Sequence, residues 1–178
     1  MTQSEYDEIV QFGKMMTRTF LVGLVVAAVL AFAFHEPVKG MVFYFMLLPL
    51  RQYAGGFHMK TRGGCAVVST AIFIVNLYAI RSLCPSIYIQ FMVFIIAAAV
   101  IILLMPVDNI NNRLSEEEKE PLRRKAGFLI LIYLAVFLGI LCQARLDYAF
   151  IFVCCVVTEM VLLVIGRLHN ELYDRNLR

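Results

Sequence analysis

Apolar residues come in six continuous runs, roughly Phe20 to Phe34, Val38 to Leu50, Ala66 to Leu83, Ile87 to Met105, Ala126 to Cys142 and Tyr148 to Gly166, parted by short polar stretches. Continuous runs of this length predict helices, because hydrocarbon offers a backbone amide no partner outside its own segment. Alternation, the mark of a barrel strand, is absent. The expected fold is all-α, a single polytopic membrane bundle over residues 1–178 with about six transmembrane helices. The run at 38–50 is the shortest and carries Pro49 near its end, so a re-entrant hairpin competes there with a full crossing.

Charge placement decides between them. With six crossings and the N-terminus inside, the outer loops hold only Lys39, Arg81 and Arg145 of the 16 Lys and Arg residues. A hairpin at 38–50 would invert everything after it and put most of the cations outside, against the bias that orients membrane proteins. Six spans with both ends cytoplasmic follow. Composition agrees: 61% hydrophobic residues, 16% charged residues and a mean hydropathy of +0.80 leave too little polar material to coat a soluble globule of 178 residues.

The segment 1–19 scatters Ile9, Val10, Phe12, Met15 and Met16 among polar neighbours, which suits an amphipathic cytoplasmic helix or a frayed end. It opens acidic and polar, and no small-residue cleavage site follows the first apolar run, so a removable signal peptide is not expected. Within the cytoplasmic loop 106–125, Ser115 to Lys125 is a mixed-charge run of the kind found in solvated loops and short surface helices.

The loop 51–65 is where chemistry concentrates. It joins Arg51, Gly55, Gly56, His58, Lys60, Arg62, Gly63, Gly64 and Cys65. A thiol needs a base to act as a nucleophile near neutral pH, and imidazole takes and returns a proton there. On one continuous helix His58 and Cys65 would sit about 10 Å apart along the axis, too far for a hydrogen bond. A bend at Gly63 and Gly64 would fold His58 back over a helix starting at Cys65, whose unpaired amides and dipole favour a thiolate and an oxyanion. Spacing alone leaves the bland alternative standing, since a histidine and a cysteine seven apart in a membrane loop are more often a solvated ring and a small packing residue. Two ligands make no zinc site, and no metal or cofactor is expected.

The pattern Arg51, Gly55, Gly56, His58 and Cys65 between hydrophobic segments resembles the signature of the AgrB family, membrane endopeptidases that process autoinducing propeptides in Gram-positive bacteria. A second loop, from Pro106 through Asp108 to Asn111 and Asn112, is similar to that family's Pro-x-Asp-x-x-Asn motif, although Asn112 and Arg113 stand where the family commonly has Lys-Pro. The resemblance implies Cys65 as nucleophile and His58 as general base acting on an AgrD-like propeptide. An acyl-enzyme thioester would then be captured by the peptide's own side chain to give a cyclic thiolactone. It also implies supporting roles for Arg51, in carboxylate binding or pairing within the site, and for Gly56 in a backbone turn. Asp108 is the acidic candidate for a third member, against the plainer alternative of an exposed loop aspartate.

Beyond the propeptide, membrane lipid is the expected partner, nucleic acid is not, and a homodimer is left open. Cys84, Cys142, Cys154 and Cys155 lie in or beside apolar runs without a neighbouring histidine and read as packing residues. Glu159, costly in lipid, should face the bundle interior with Asn76 as partner. His169 and His35 flank spans and are set aside. Two other readings fit the same residues: a non-enzymatic scaffold or sensor component, and a small transporter built around Glu159 and Asn76.

Overall fold

The computed structural model describes residues 3–57, 61–108 and 115–176. Six helices follow one another: α1 (Gln3–Ala33), α2 (Pro37–Ala54), α3 (Arg62–Ser82), α4 (Ile87–Leu104), α5 (Glu116–Cys142) and α6 (Leu146–Asn176). Stretches of α1, α3, α4, α5 and α6 are long and apolar enough to cross a membrane. The all-α polytopic bundle is therefore what the chain forms, and it is a multi-pass membrane protein.

Helix α2 falls short of that apolarity because Lys39, Arg51 and Gln52 belong to its 18 residues. Both of its ends nevertheless lie against α6. At one end Lys39 Nζ meets Asp147 Oδ2 at 3.6 Å, at the start of α6. At the other, just past its last residue, Phe57 N–H donates to the Leu162 carbonyl at 3.0 Å. Eighteen continuous helical residues rise about 27 Å, so this segment is one helix and not a hairpin that turns back within it. Pro49 sits inside it without ending it. Proline denies the Phe45 carbonyl its helical donor. At the adjoining Met46 carbonyl a donor arrives from elsewhere, the Tyr133 hydroxyl of α5 at 2.6 Å.

Helix α6 is the axis of the bundle, packed against α2, α3, α4 and α5, while α1 packs on α2 and α3. Residues Ala149 to Val156 are all buried, which an outer helix facing lipid would not be. In hydrocarbon the helices gain little from excluding water from one another, and close packing with internal hydrogen bonds holds them instead. Phe94 of α4 and Phe137 of α5 stack at 4.5 Å with both rings fully enclosed. Phe94→Ala should therefore destabilise the bundle by about 2–4 kcal/mol through the cavity it leaves. Thermal unfolding in a mild detergent reads this as a fall in midpoint.

The two ends of the bundle differ in charge. One gathers all three cations expected outside: Lys39 and Arg145 lie over the Tyr148 ring, at 5.9 and 4.6 Å, and Arg81 donates to the Phe34 carbonyl. Gln90 closes this end by donating to the carbonyls of Pro85 and Leu146. The opposite end carries the 51–65 and 106–125 loops. There α5 opens on a capping box, Ser115 with Glu118, so much of the mixed-charge run is the first turns of α5, continuous with its span. At the N-terminus, α1 is helical from Gln3 and joins the first span without a break.

Candidate active site

Helix α2 ends because Gly55 and Gly56 take φ values of +83° and +118°, which residues with a Cβ rarely adopt. The turn carries the chain across the end of the bundle, where three backbone hydrogen bonds secure it. Val107 N–H donates to the Ala54 carbonyl at 3.0 Å and Gly56 N–H to the Val107 carbonyl at 3.3 Å, so the loop after α2 pairs with the loop after α4. Phe57 N–H reaches the Leu162 carbonyl of α6. That approach needs Gly166, where a Cβ would come within 2.8 Å of Phe57 N.

Arg51, in the last turn of α2, bends over this loop and donates from Nη2 to the Phe57 carbonyl at 2.7 Å. Of the two roles the resemblance implied for Arg51, pairing within the site is the one visible. Gly56 stands in the backbone turn expected of it. Both backbone groups of Phe57 are thus bonded, one to α6 and one to α2, and its ring meets His169 edge-on at 5.4 Å. His58, Met59 and Lys60 lie outside the described residues, and with them the proposed general base.

The chain resumes at Thr61, the N-cap of α3, whose side chain accepts from Gly64 N–H at 3.2 Å. Here the expectation of a bend at Gly63 and Gly64 is corrected. Both glycines lie inside the first turn of α3, which begins at Arg62, and the turning glycines are Gly55 and Gly56. Threonine with an extended backbone caps a helix well, so the helix starts as soon as Thr61 supplies the cap. Cys65 is consequently not the first residue of the helix. Its N–H already donates to the Thr61 carbonyl at 3.0 Å, and it stands half-buried at the close of the first turn. Cys65 therefore stands in the N-terminal turn, the positive end of the helix dipole.

Asp108 is not the exposed loop aspartate of the plainer reading. Its Oδ2 pairs with Lys119 Nζ at 3.2 Å, its carbonyl accepts from Asn170 Nδ2 at 2.7 Å, and its Oδ1 is buried. It lines a small cleft with Pro106, Lys119, Arg167 and Asn170 at the same end of the bundle. Glu159 faces the interior, as lipid demands, but Asn76 is not its partner. Asn76 Oδ1 accepts from the Thr158 hydroxyl at 3.1 Å, and its amide donates to Ile72. Cys154 and Cys155 are buried as packing residues should be, whereas Cys84 and Cys142 are exposed at helix ends. No cluster of three or more potential metal ligands occurs among the described residues.

Sequence reading passed over Gly166, His169 and Asn170. Nothing in a run of α6 residues signals that one glycine admits a loop from another helix, or that a flanking histidine packs on Phe57. A small residue among large ones in the last span was the one available hint.

The class so defined is a multi-pass helical membrane protein with a cysteine in the first turn of its third helix and, after its second, a glycine turn secured to the bundle's central helix. The family profile described as accessory gene regulator B matches residues 1–165, and the chain belongs to that family. Among curated proteins it is 24% identical over 145 residues to "Putative AgrB-like protein 2" of Clostridium perfringens (strain 13 / Type A), covering 78% of this chain and 67% of that one. It is 23% identical over 145 residues to "Putative AgrB-like protein" of Clostridium perfringens (strain SM101 / Type A), with the same coverage. No solved structure matches significantly. Membership gives the chain a role in the agr quorum-sensing system.

Proposed function

We propose that this protein is a membrane-embedded cysteine endopeptidase that cuts the C-terminal part from an AgrD-like propeptide and promotes its cyclisation. Cys65 is the nucleophile and His58 the general base. The observation that carries the reading is the position of Cys65: in the first turn of α3, at the end of the bundle where the 55–57 loop is bonded to α2, to α6 and to the loop after α4.

In the proposed reaction His58 takes the Cys65 proton as the sulfur adds to the scissile carbonyl. The N-terminal turn of α3, the positive end of its dipole, suits the developing oxyanion. The C–N bond then breaks, the C-terminal fragment leaves as an amine carrying the proton returned by His58, and an acyl thioester remains on Cys65. A cysteine thiol of the same peptide attacks that thioester and releases both a thiolactone and the Cys65 thiol. Water must be slower than the intramolecular thiol, and a site between short loops at the membrane surface favours the thiol.

The cation-poor end, with Lys39, Arg81 and Arg145, faces outward by the positive-inside bias, which turns Cys65 toward the cytoplasm of a Gram-positive cell. A precursor with an acidic tail suits the cation-rich inner face.

The test is to mix the purified protein with a tagged precursor and look for a covalent adduct that hydroxylamine releases. The adduct and the cut fragment are expected from the native chain. His58→Ala should lose both while remaining membrane-inserted. Unimpaired cleavage by that variant would remove His58 as the base, and a native chain that forms neither adduct nor fragment would leave the scaffold or transporter alternatives in possession.

A further inference from the structure

Two neighbouring residues in the loop after α4 are attached to different parts of the molecule. Val107 spends both backbone groups on the glycine turn, its N–H on the Ala54 carbonyl at 3.0 Å and its carbonyl on Gly56 N–H at 3.3 Å. Asp108 spends its groups on helices: its carbonyl accepts from Asn170 Nδ2 of α6 at 2.7 Å, and its Oδ2 pairs with Lys119 Nζ of α5 at 3.2 Å. Two loops bonded only to each other can shift together. Beyond the helices they leave, what ties this pair to the bundle is the bonding at its two edges. Phe57 is held on one side, by the Leu162 carbonyl and by Arg51, and Asp108 on the other. Both edges land on one stripe of α6. Leu162, Gly166 and Asn170 are spaced four apart and so share a helix face, and Gly166, between the other two, leaves room for the Gly56 and Phe57 backbone.

We propose that Asn170 is a positioning residue for the proposed peptidase reaction: its amide holds the Asp108 carbonyl and so keeps Val107 in register with the glycine turn that leads into His58. Asp108 is then the clamped end of a strap and not a third catalytic member. The catalytic consequence rests on the endopeptidase reading; the structural one does not. A side-chain amide bonded to a backbone carbonyl fixes the main chain itself, here one residue from the groups that pair with the turn. The Asp108 carboxylate adds a second hold through Lys119, a weaker one because both side chains are partly open to solvent.

Two readouts test this, using the full-length protein in nanodiscs. The first is amide hydrogen exchange. Asn170→Asp keeps the size of the side chain and replaces its donor with an oxygen. Exchange at Gly56 and Val107 should speed up about tenfold in that variant, while Phe57, whose acceptor on Leu162 is untouched, stays within about twofold. The second is cleavage of a tagged AgrD-like precursor. Asn170→Asp should lower kcat about tenfold with KM within about twofold, and Asn170→Gln, whose amide can still donate, should recover part of the rate. Asp108→Asn leaves Lys119 an oxygen to bond and should cost about threefold, against about tenfold for Asp108→Ala. A carboxyl acting on the substrate would lose as much in either.

Unchanged exchange at Val107 and Gly56 in an inserted Asn170→Asp chain overturns the proposal. Equal acceleration at Phe57 does so too, because the end of α6 would then simply have loosened. A loss in Asp108→Asn as large as that in Asp108→Ala overturns the role given to Asp108. Cleavage that survives Cys65→Ala would sink the peptidase reading instead, and the exchange experiment would still decide whether Asn170 holds the loop. If Asn170→Asp fails to insert, Asn170→Ala takes its place in the exchange experiment, with faster Val107 and Gly56 exchange expected and unchanged exchange overturning the proposal.

Discussion

Cys65→Ala should leave a co-expressed precursor whole, with cleavage reduced at least about a thousandfold, while the variant inserts and accumulates like the native chain. The two halves of that expectation have separate physical grounds. Removing the sulfur removes the atom that forms the acyl intermediate, and no other cysteine replaces it: Cys154 and Cys155 are buried inside α6, and Cys84 and Cys142 lie near the opposite end of the bundle. Folding should be spared because Cys65 is half-buried in the first turn of α3 and alanine is a better helix former than cysteine. Immunoblotting of a tagged precursor, with the membrane fraction probed in parallel, checks both. Native-like cleavage by this variant would end the endopeptidase reading.

Gly55→Ala should be nearly as damaging to cleavage, for a reason that has nothing to do with reacting atoms. Gly55 takes φ +83° and ψ −139°, a region almost confined to glycine, and a Cβ there would run into the Val107 carbonyl. Backbone strain of this kind costs about 1–3 kcal/mol, and the collision adds to it. The cheapest relief is to part the two loops and give up the bonds joining Ala54, Gly56 and Val107. Cleavage should fall about 10- to 100-fold, while the melting of the transmembrane bundle, which these bonds do not hold together, shifts by a few degrees at most. Hydrogen exchange at Val107 should rise with the loss of activity. A fully active Gly55→Ala chain would mean that this junction does not support the site.

What the sequence disclosed, and what it withheld, divides along the range of the interactions. The six helices were legible because continuous apolarity is a local property, and five of them are long and apolar enough to cross a membrane. The start of α3 was misplaced for a local reason too: a glycine pair looks like a bend, but Thr61 supplies a cap, and the helix began three residues before Cys65. Arg51, Gly56 and Asp108 could be picked out by resemblance, while their partners could not. Arg51 meets the Phe57 carbonyl, Gly56 meets Val107, and Asp108 meets Lys119 and Asn170. Such pairings depend on how helices turn about their axes, which a one-dimensional pattern does not encode. Asn76 illustrates the limit: a polar residue in α3 was rightly expected to face α6, but it met Thr158, the immediate neighbour of Glu159. Rotating a helix by one residue changes the partner and leaves the hydropathy untouched.

Because Phe57 takes its acceptor from Leu162, the support for the loop is translated long after the loop itself. A ribosome releases Leu162 roughly a hundred residues after Phe57, about 5–20 s at ordinary elongation rates. Until the final helix enters the bilayer, the segment leading to Cys65 has no α6 to lean on. On the proposed peptidase reading, the loop gains its last support only when α6 has been made, a delay set by translation and requiring no inhibitor.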